Sequence, residues 1–373
     1  MTDPKQHATR RRLFAQPFSN SCITTFEPPI RRKVDLAVSK IRRDAEQGSA
    51  DILKWFTFMA TDVAGELSFG TSFDMLQHEQ KSPYIRDLET AMMISGIRSE
   101  LQPLLKLASY LPLRSLRHAL AINERLNSYG HEAIQNHKAH VAAKQGPVAT
   151  SLFSKFLDPK KNQELSDAEI EQEASNLIVA GSDTTAVSLT YLIWAVLRPD
   201  NSHIRERLMN EISTLPLDAR GSDLGSLQYL KAVVDEALRL YGAAPGSLPR
   251  VVPIAGTILG PYHIPGDVTV STQAFTIHRD PNIFRNPERF DPSRWENPTQ
   301  EMKDAFSPFG AGSRTCIGIH LAMLELLLGT FLFFKRCPTA VLSPTTTNES
   351  MEFENYFLIV PKSHRCEIQL RQA

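Results

Sequence analysis

Apolar residues recur with a helical period over most of the first 241 positions. The pattern then breaks into short β-like pieces before turning helical once more. Asp3 to Phe18 reads as a basic helix stopped near Pro17, and Asp51 to Phe73 carries a mostly apolar one. Residues 82–143 give further helices interrupted at Pro103, Pro112 and Gly130, and Pro147 with the polar run Asp158 to Gln163 makes a loop. Ser166 and Glu169 form an S-x-x-E capping box ahead of the next apolar run. Ser226 to Tyr241 is amphipathic, Ala243 to Pro253 is extended and broken by prolines, and Tyr262 to Val270 predicts a hairpin about Pro265-Gly266. Leu321 to Phe334 is a strongly apolar helical segment, and Asn355 to Ile368 reads as two short strands.

The chain of 373 residues can bury a large core, in one big domain or two smaller ones. Lys plus Arg equals Asp plus Glu at 41 each, so the charge balance points to no nucleic-acid partner. Cys22, Cys316, Cys337 and Cys366 are scattered and form no disulfide framework, which fits a reducing compartment. No signal peptide or spanning helix is visible. The chain opens MTDPKQHATRRR, the apolar stretch Leu177 to Leu197 is interrupted by Gly181 to Thr185, and Leu321 to Phe334 is short and carries Glu325. Read literally, the chain is expected to be soluble.

The chemistry concentrates in Phe306 to Leu327, FSPFGAGSRTCIGIHLAMLELL. Gly310, Gly312 and Gly318 bracket Cys316, and glycine lets backbone pass close to something bulky. A cysteine just before a helix has its thiolate stabilised by backbone N–H groups and the helix dipole, which suits a metal-bound sulfur. Arg314 is placed to pair with an acidic group of the same ligand. The plainer alternative is a Gly-rich turn with Cys316 as a small buried hydrophobe. A zinc site on Cys316 and His320 lacks the further ligand pairs it needs. A second anomaly is Ala180-Gly181-Ser182-Asp183-Thr184-Thr185, polar and helix-weakening residues inside an apolar helix. Its plainer reading is hydroxyls bonded back to the preceding turn. Glu236 and Arg239, three apart, share a helix face.

Phe309-Gly310-x-Gly312-x-Arg314-x-Cys316-x-Gly318 resembles the haem-binding loop of cytochromes P450, and the other signatures follow the family's order. The resemblance implies a mainly α fold with small β-sheets, the P450 fold, in one catalytic domain over residues 1–373. It makes Cys316 the axial ligand of haem b iron, with Phe309, Gly310, Gly312, Arg314 and Gly318 holding the cofactor. His7 and Arg11 resemble the i, i+4 pair that grips a haem propionate, His7 standing where the family usually has tryptophan, and Arg250 a further propionate partner. In the oxygen groove, Gly181 would give room for dioxygen, Thr184 would hydrogen-bond it, and Asp183 would link the site to bulk protons. Glu236 and Arg239 resemble the structural E-x-x-R pair, with Arg289 of Asn286-Pro287-Glu288-Arg289-Phe290 expected to complete a triad. Ala180, Ser247 and Leu248 would meet substrate, under a roof including Met92, Met93, Leu104, Leu105 and Leu107.

The implied function is a haem-dependent monooxygenase inserting one oxygen atom from O2 into a small hydrophobic natural product, most like fungal enzymes of secondary metabolism. Electrons would come from NADPH through cytochrome P450 reductase, docked on the basic face that includes Arg10 and Arg12. The alternatives are a non-catalytic haem-binding remnant and a haem-thiolate isomerase or dehydratase. Full-length homologues are expected at the cytosolic face of the endoplasmic reticulum membrane. The chain is expected to be a truncated version lacking the membrane anchor and the first strands and helices, and so to leave a sheet edge unpaired.

Overall fold

The computed structural model describes residues 3–87 and 165–371, together with residues 90, 122, 125, 126, 128, 129, 131, 132, 135 and 152. The expected loop at Asp158 to Gln163 and the substrate-roof residues Met92, Met93, Leu104, Leu105 and Leu107 lie outside the described residues.

The architecture is mainly helical with small sheets, as the pattern implied. Helix α1 (Pro4–Ala15) starts where the Asp3 carboxylate accepts the N–H groups of Lys5 and Gln6. It is followed by α2 (Asn20–Thr25), α3 (Glu27–Glu46), strand β1 (Ala50–Asp51), α4 (Ile52–Phe69) and α5 (Met75–His78). Helix α4 stops four residues short of Phe73. Gly70 caps it with φ 71°, and the returning chain lays Phe73 against Gly65. The long helix α6 (Asp167–Leu197) begins at the expected capping box, with Ser166 and Glu169 bonded reciprocally. Then come α7 (Ser202–Ser213), α8 (Gly221–Ser226) and α9 (Gln228–Tyr241).

Helix α6 is the spine. It packs along α4 and against α9 and the later α12 (Ile319–Arg336), while α3 packs on α4 and α12. Residues 172–197 are apolar and long enough to cross a membrane, but two-thirds of that apolar window is buried inside the fold, as befits a core helix.

The strands are short and antiparallel. Strand β2 (Ser247–Val251) pairs with β5 (Thr269–Gln273), and β3 (Thr257–Leu259) pairs with β4 (Tyr262–Ile264). The expected hairpin about Pro265-Gly266 is therefore corrected. The β3–β4 turn lies at Gly260-Pro261, with Gly260 at φ 59°, and Pro265-Gly266 carries the chain from β4 into the other ribbon. After α10 (Ala274–Ile277), α11 (Gln300–Ala305) and α12, strands β6 (Ala340–Leu342) and β9 (Glu367–Leu370) join β1 in one sheet of order β1-β9-β6. Strands β7 (Phe353–Asn355) and β8 (Ile359–Pro361) make the last ribbon, so the tail holds three strands where two were expected. Val251, Ile254, Ile258, Leu259, Tyr262 and Val268 are all exposed on the β2–β5 segment.

The close approach at Gly266 gives a test of that segment. A β-carbon there would stand 2.2 Å from the Ile254 carbonyl oxygen. Gly266→Ala is expected to lower stability by about 1–3 kcal/mol through overpacking against backbone. Gly260→Ala, which meets open space and only a positive φ, is expected to lose about 1 kcal/mol. Urea unfolding of both variants checks this, and equal losses would show that the approach to Ile254 is not the constraint.

Candidate active site

Helix α9 supplies the anchor on which the cysteine loop hangs. Its apolar face turns Glu236 and Arg239 inward, and both side chains are fully buried. The guanidinium grips the carboxylate in a fork, with Nε to Oε2 and Nη2 to Oε1 both at 2.8 Å. Glu236 also accepts the Asp291 N–H at 2.8 Å, the Trp295 indole N–H at 3.0 Å and the Arg294 Nε at 3.0 Å. Arg294, not Arg289, completes the triad. Arg289 is exposed and contributes its backbone carbonyl, which accepts from Arg239 and Arg294. The chain has two Pro-x-Arg-aromatic runs, at Pro287–Phe290 and Pro292–Trp295, and only the second starts a 3₁₀ turn that aims its arginine inward.

Two bridges carry this anchor to the cysteine loop. Trp295 packs against Phe306 at a tilt of 53°, with ring centroids 4.5 Å apart. His278, buried, takes the Ser307 N–H on Nε2 at 3.0 Å, so its Nδ1–H donates to the Arg239 carbonyl, also at 3.0 Å. That double use requires the neutral ring, and burial lowers its pKa to about 4. No local spacing in the sequence marks His278 for this role, because its partners lie 29 and 39 residues away.

In the loop itself Gly310 and Gly312 take φ of 71° and 67°, as their placement implied. The Cys316 N–H donates to the Phe309 carbonyl at 2.8 Å, pulling both ends together. Gly318 is the N-cap of α12. Arg11, reaching from α1, donates to the Thr315 carbonyl at 2.7 Å. Cys316 is accessible to solvent. Burial pushes its thiol up, while the Gly318 N–H and the Arg11 charge pull it down. A bound metal cation would supply the charge that makes it a thiolate. His7 is half-buried, and its pKa is lowered first by that burial and then by Arg314 and Arg11, which places three basic side chains beside the sulfur loop. Arg250 is exposed on β2 and donates to the Pro249 carbonyl at 2.8 Å, and no contact among the described residues ties it to that group. Leu248 of β2 does approach the loop, 3.6 Å from where a Gly310 β-carbon would stand; Ser247 is exposed.

On α6 the helix is continuous through residues 180–185. The Thr184 hydroxyl donates to the Ala180 carbonyl at 2.8 Å, so these two share one accessible face. Ser182 bonds back to Ile178 in the same way. Gly181 faces α4 closely, with the Ala64 β-carbon 3.4 Å from where a Gly181 β-carbon would stand. Asp183 is half-buried. Arg10 is also corrected, since it spans from α1 to Glu169 and Glu173 of α6 rather than standing in solvent; Arg12 is exposed.

A haem group fits these residues. The sulfur would ligate its iron, the His7–Arg11–Arg314 group would suit its carboxylates, and the paired positive-φ glycines leave the loop bare of side chains. An accessible cysteine sulfur backed by basic side chains is the chemistry of a haem-thiolate oxidoreductase. Comparison with known proteins agrees. The cytochrome P450 family model matches residues 1–368. Cytochrome P450 monooxygenase tazI of Aspergillus terreus is 46% identical over 99% of this chain and 76% of its own length. Cytochrome P450 monooxygenase aflV of Aspergillus parasiticus is 38% identical over 99% of this chain and 74% of its own. The crystal structure of the cytochrome P450DA heme domain matches with a TM-score of 0.79 at 22% identity, covering 97% of this chain and 77% of that one. The chain belongs to the cytochrome P450 family. It is a monooxygenase of that family and spans about three quarters of the curated relatives it matches.

Two predictions follow from the anchor. Arg294→Ala leaves Glu236 undercompensated in the interior and is expected to cost about 3 kcal/mol and most of the haem content. Arg289→Ala removes only an exposed side chain and should cost under about 0.5 kcal/mol; urea unfolding and haem content decide, and the reverse order would restore Arg289. For His278, the folded pKa of about 4 lies below the ordinary 6.5, so the unfolded chain binds more protons between those values. Stability is therefore expected to fall by about 2 kcal/mol from pH 7 to pH 5. His278→Gln should lose that part of the slope in urea titrations at the two pH values.

Proposed function

We propose that this chain inserts one oxygen atom from O2 into a small hydrophobic natural product of fungal secondary metabolism, with electrons delivered from NADPH through cytochrome P450 reductase. The observation that carries the reading is the accessible Cys316 sulfur in a loop closed by Phe309 and braced by Arg11. Cys316 would hold haem b through its iron, with Arg11, His7 and Arg314 on the propionates, and the bound haem supplies the oxygen-activating chemistry. Thr184 and Asp183 are the proton-handling residues. The Thr184 hydroxyl, already donating to Ala180, keeps an oxygen lone pair with which to accept and pass a proton on the accessible face of α6. Ala180 and Leu248 are the candidate substrate contacts, and the exposed Arg12 belongs to a basic face complementary to an acidic reductase. Full-length homologues would work at the cytosolic face of the endoplasmic reticulum membrane.

Cys316→Ala is expected to abolish the long-wavelength Soret band of the reduced carbon monoxide complex; a band intact in the variant would overturn the ligand assignment. Thr184→Ala is expected to keep that band yet lower product per NADPH by at least about tenfold, with peroxide released instead. Unchanged coupling would remove Thr184 from proton handling.

A further inference from the structure

Glu325 is an acid in a place that supplies almost nothing for it. It sits on α12, nine positions after Cys316, and is 2% exposed. Its Oε2 accepts the Thr185 hydroxyl at 3.2 Å, and its Oε1 has no hydrogen-bond partner among the described residues. The elements packed on α12 are α2, α3, α6, α7, α8 and α9. Of the charged groups on these elements, Asp35 holds Arg336, Lys40 and Arg43 hold Glu79, Glu27 takes the Gly221 N–H, Glu211 takes the Tyr229 and Leu230 N–H groups, Glu236 holds Arg239, and Asp183 stands two residues from Thr185 on α6. Burial raises the pKa of the Glu325 carboxyl and the Thr185 bond lowers it. An ionised carboxylate there would be unpaired and out of water, so the group stays protonated. A leucine or glutamine would fill the space at less cost, and the acid instead touches the residue next to Thr184.

We propose that Glu325, as a neutral carboxylic acid, is a positioning residue that locks α6 to α12 through Thr185 and so fixes how Thr184 and Asp183 are presented. The link joins the helix that begins at the cysteine loop to the helix that carries the proton-handling pair. The inference rests on the reading of Thr184 given above. Burial pushes the Glu325 pKa up to about 8 from an ordinary 4.5, and the sign is the reverse of that for His278. The folded state binds the extra proton, so stability from this group is full below about pH 4.5 and is lost as pH rises toward about 8. Each unit between those values costs about tenfold in the folding equilibrium.

The test uses the haem-loaded protein, its carbon-monoxide difference spectrum and Glu325→Gln, Glu325→Ala and Thr185→Val. Infrared difference spectra from pH 5 to 10 are expected to show a protonated carboxylic acid band that fades near pH 8. It should be absent in Glu325→Gln and shifted upward in Thr185→Val, where its carbonyl loses a donor. Glutamine keeps the acceptor for Thr185, so Glu325→Gln should hold the product-to-NADPH ratio of the wild type at pH 7 and keep it flat to pH 9, while the wild-type ratio falls as the acid ionises. Glu325→Ala and Thr185→Val should each raise the peroxide fraction at least about threefold with the thiolate spectrum intact. A band that ignores Thr185→Val overturns the contact. Coupling equal in all four proteins at every pH overturns the positioning role. A wild type with the infrared band but no thiolate spectrum overturns the haem-thiolate reading and leaves the band and its shift to decide the Glu325–Thr185 lock.

Discussion

One carboxylate organises the haem-loop side of the molecule. Glu236 is fully buried and receives five donors, from Arg239 twice, Arg294, Trp295 and the Asp291 backbone. A charge taken out of water is tolerable only when its lone pairs are filled in good geometry, so these partners must arrive together. They come from residues 3 to 59 positions away, which ties helix α9 to the whole irregular stretch before the cysteine loop. Arg239 directs two further donors to the carbonyls of His278 and Arg289. An irregular segment thus gains the backbone partners that a sheet would otherwise provide.

Much of this was legible in the sequence because it depends on local rules. The capping box, the i, i+3 spacing of Glu236 and Arg239, and the positive-φ glycines around Cys316 are short-range features that a chain carries wherever it goes. The rest depended on direction. Arg289 and Arg294 sit in near-identical local contexts, and only the 3₁₀ turn at Pro292–Trp295 decides which one points inward. Strand β4 was assigned the wrong partner because its turn chemistry is ambiguous, with Gly-Pro on one side and Pro-Gly on the other. The contact of Glu325 with Thr185 spans 140 residues and leaves no trace in spacing.

Two buried glutamates show how differently the same side chain is handled. Glu236 stands beside two guanidinium groups, whereas Glu325 has a single hydroxyl. His278, also buried, is held neutral by being used on both ring nitrogens. Each sits on a connection between elements that frame the cysteine loop, so folding there is sensitive to proton balance from both the acid and the alkaline side.

The exposed apolar side chains between Val251 and Val268 have a practical consequence. Ile254 is 95% accessible and Ile258 71%, on a ribbon whose neighbouring side chains are also uncovered. Excluded cosolutes and sulfate drive such surfaces together, and amphiphiles cover them. Recovery of this protein from a cell extract is therefore governed by the detergent and salt of the first buffer it meets, before any question of haem content or folding arises.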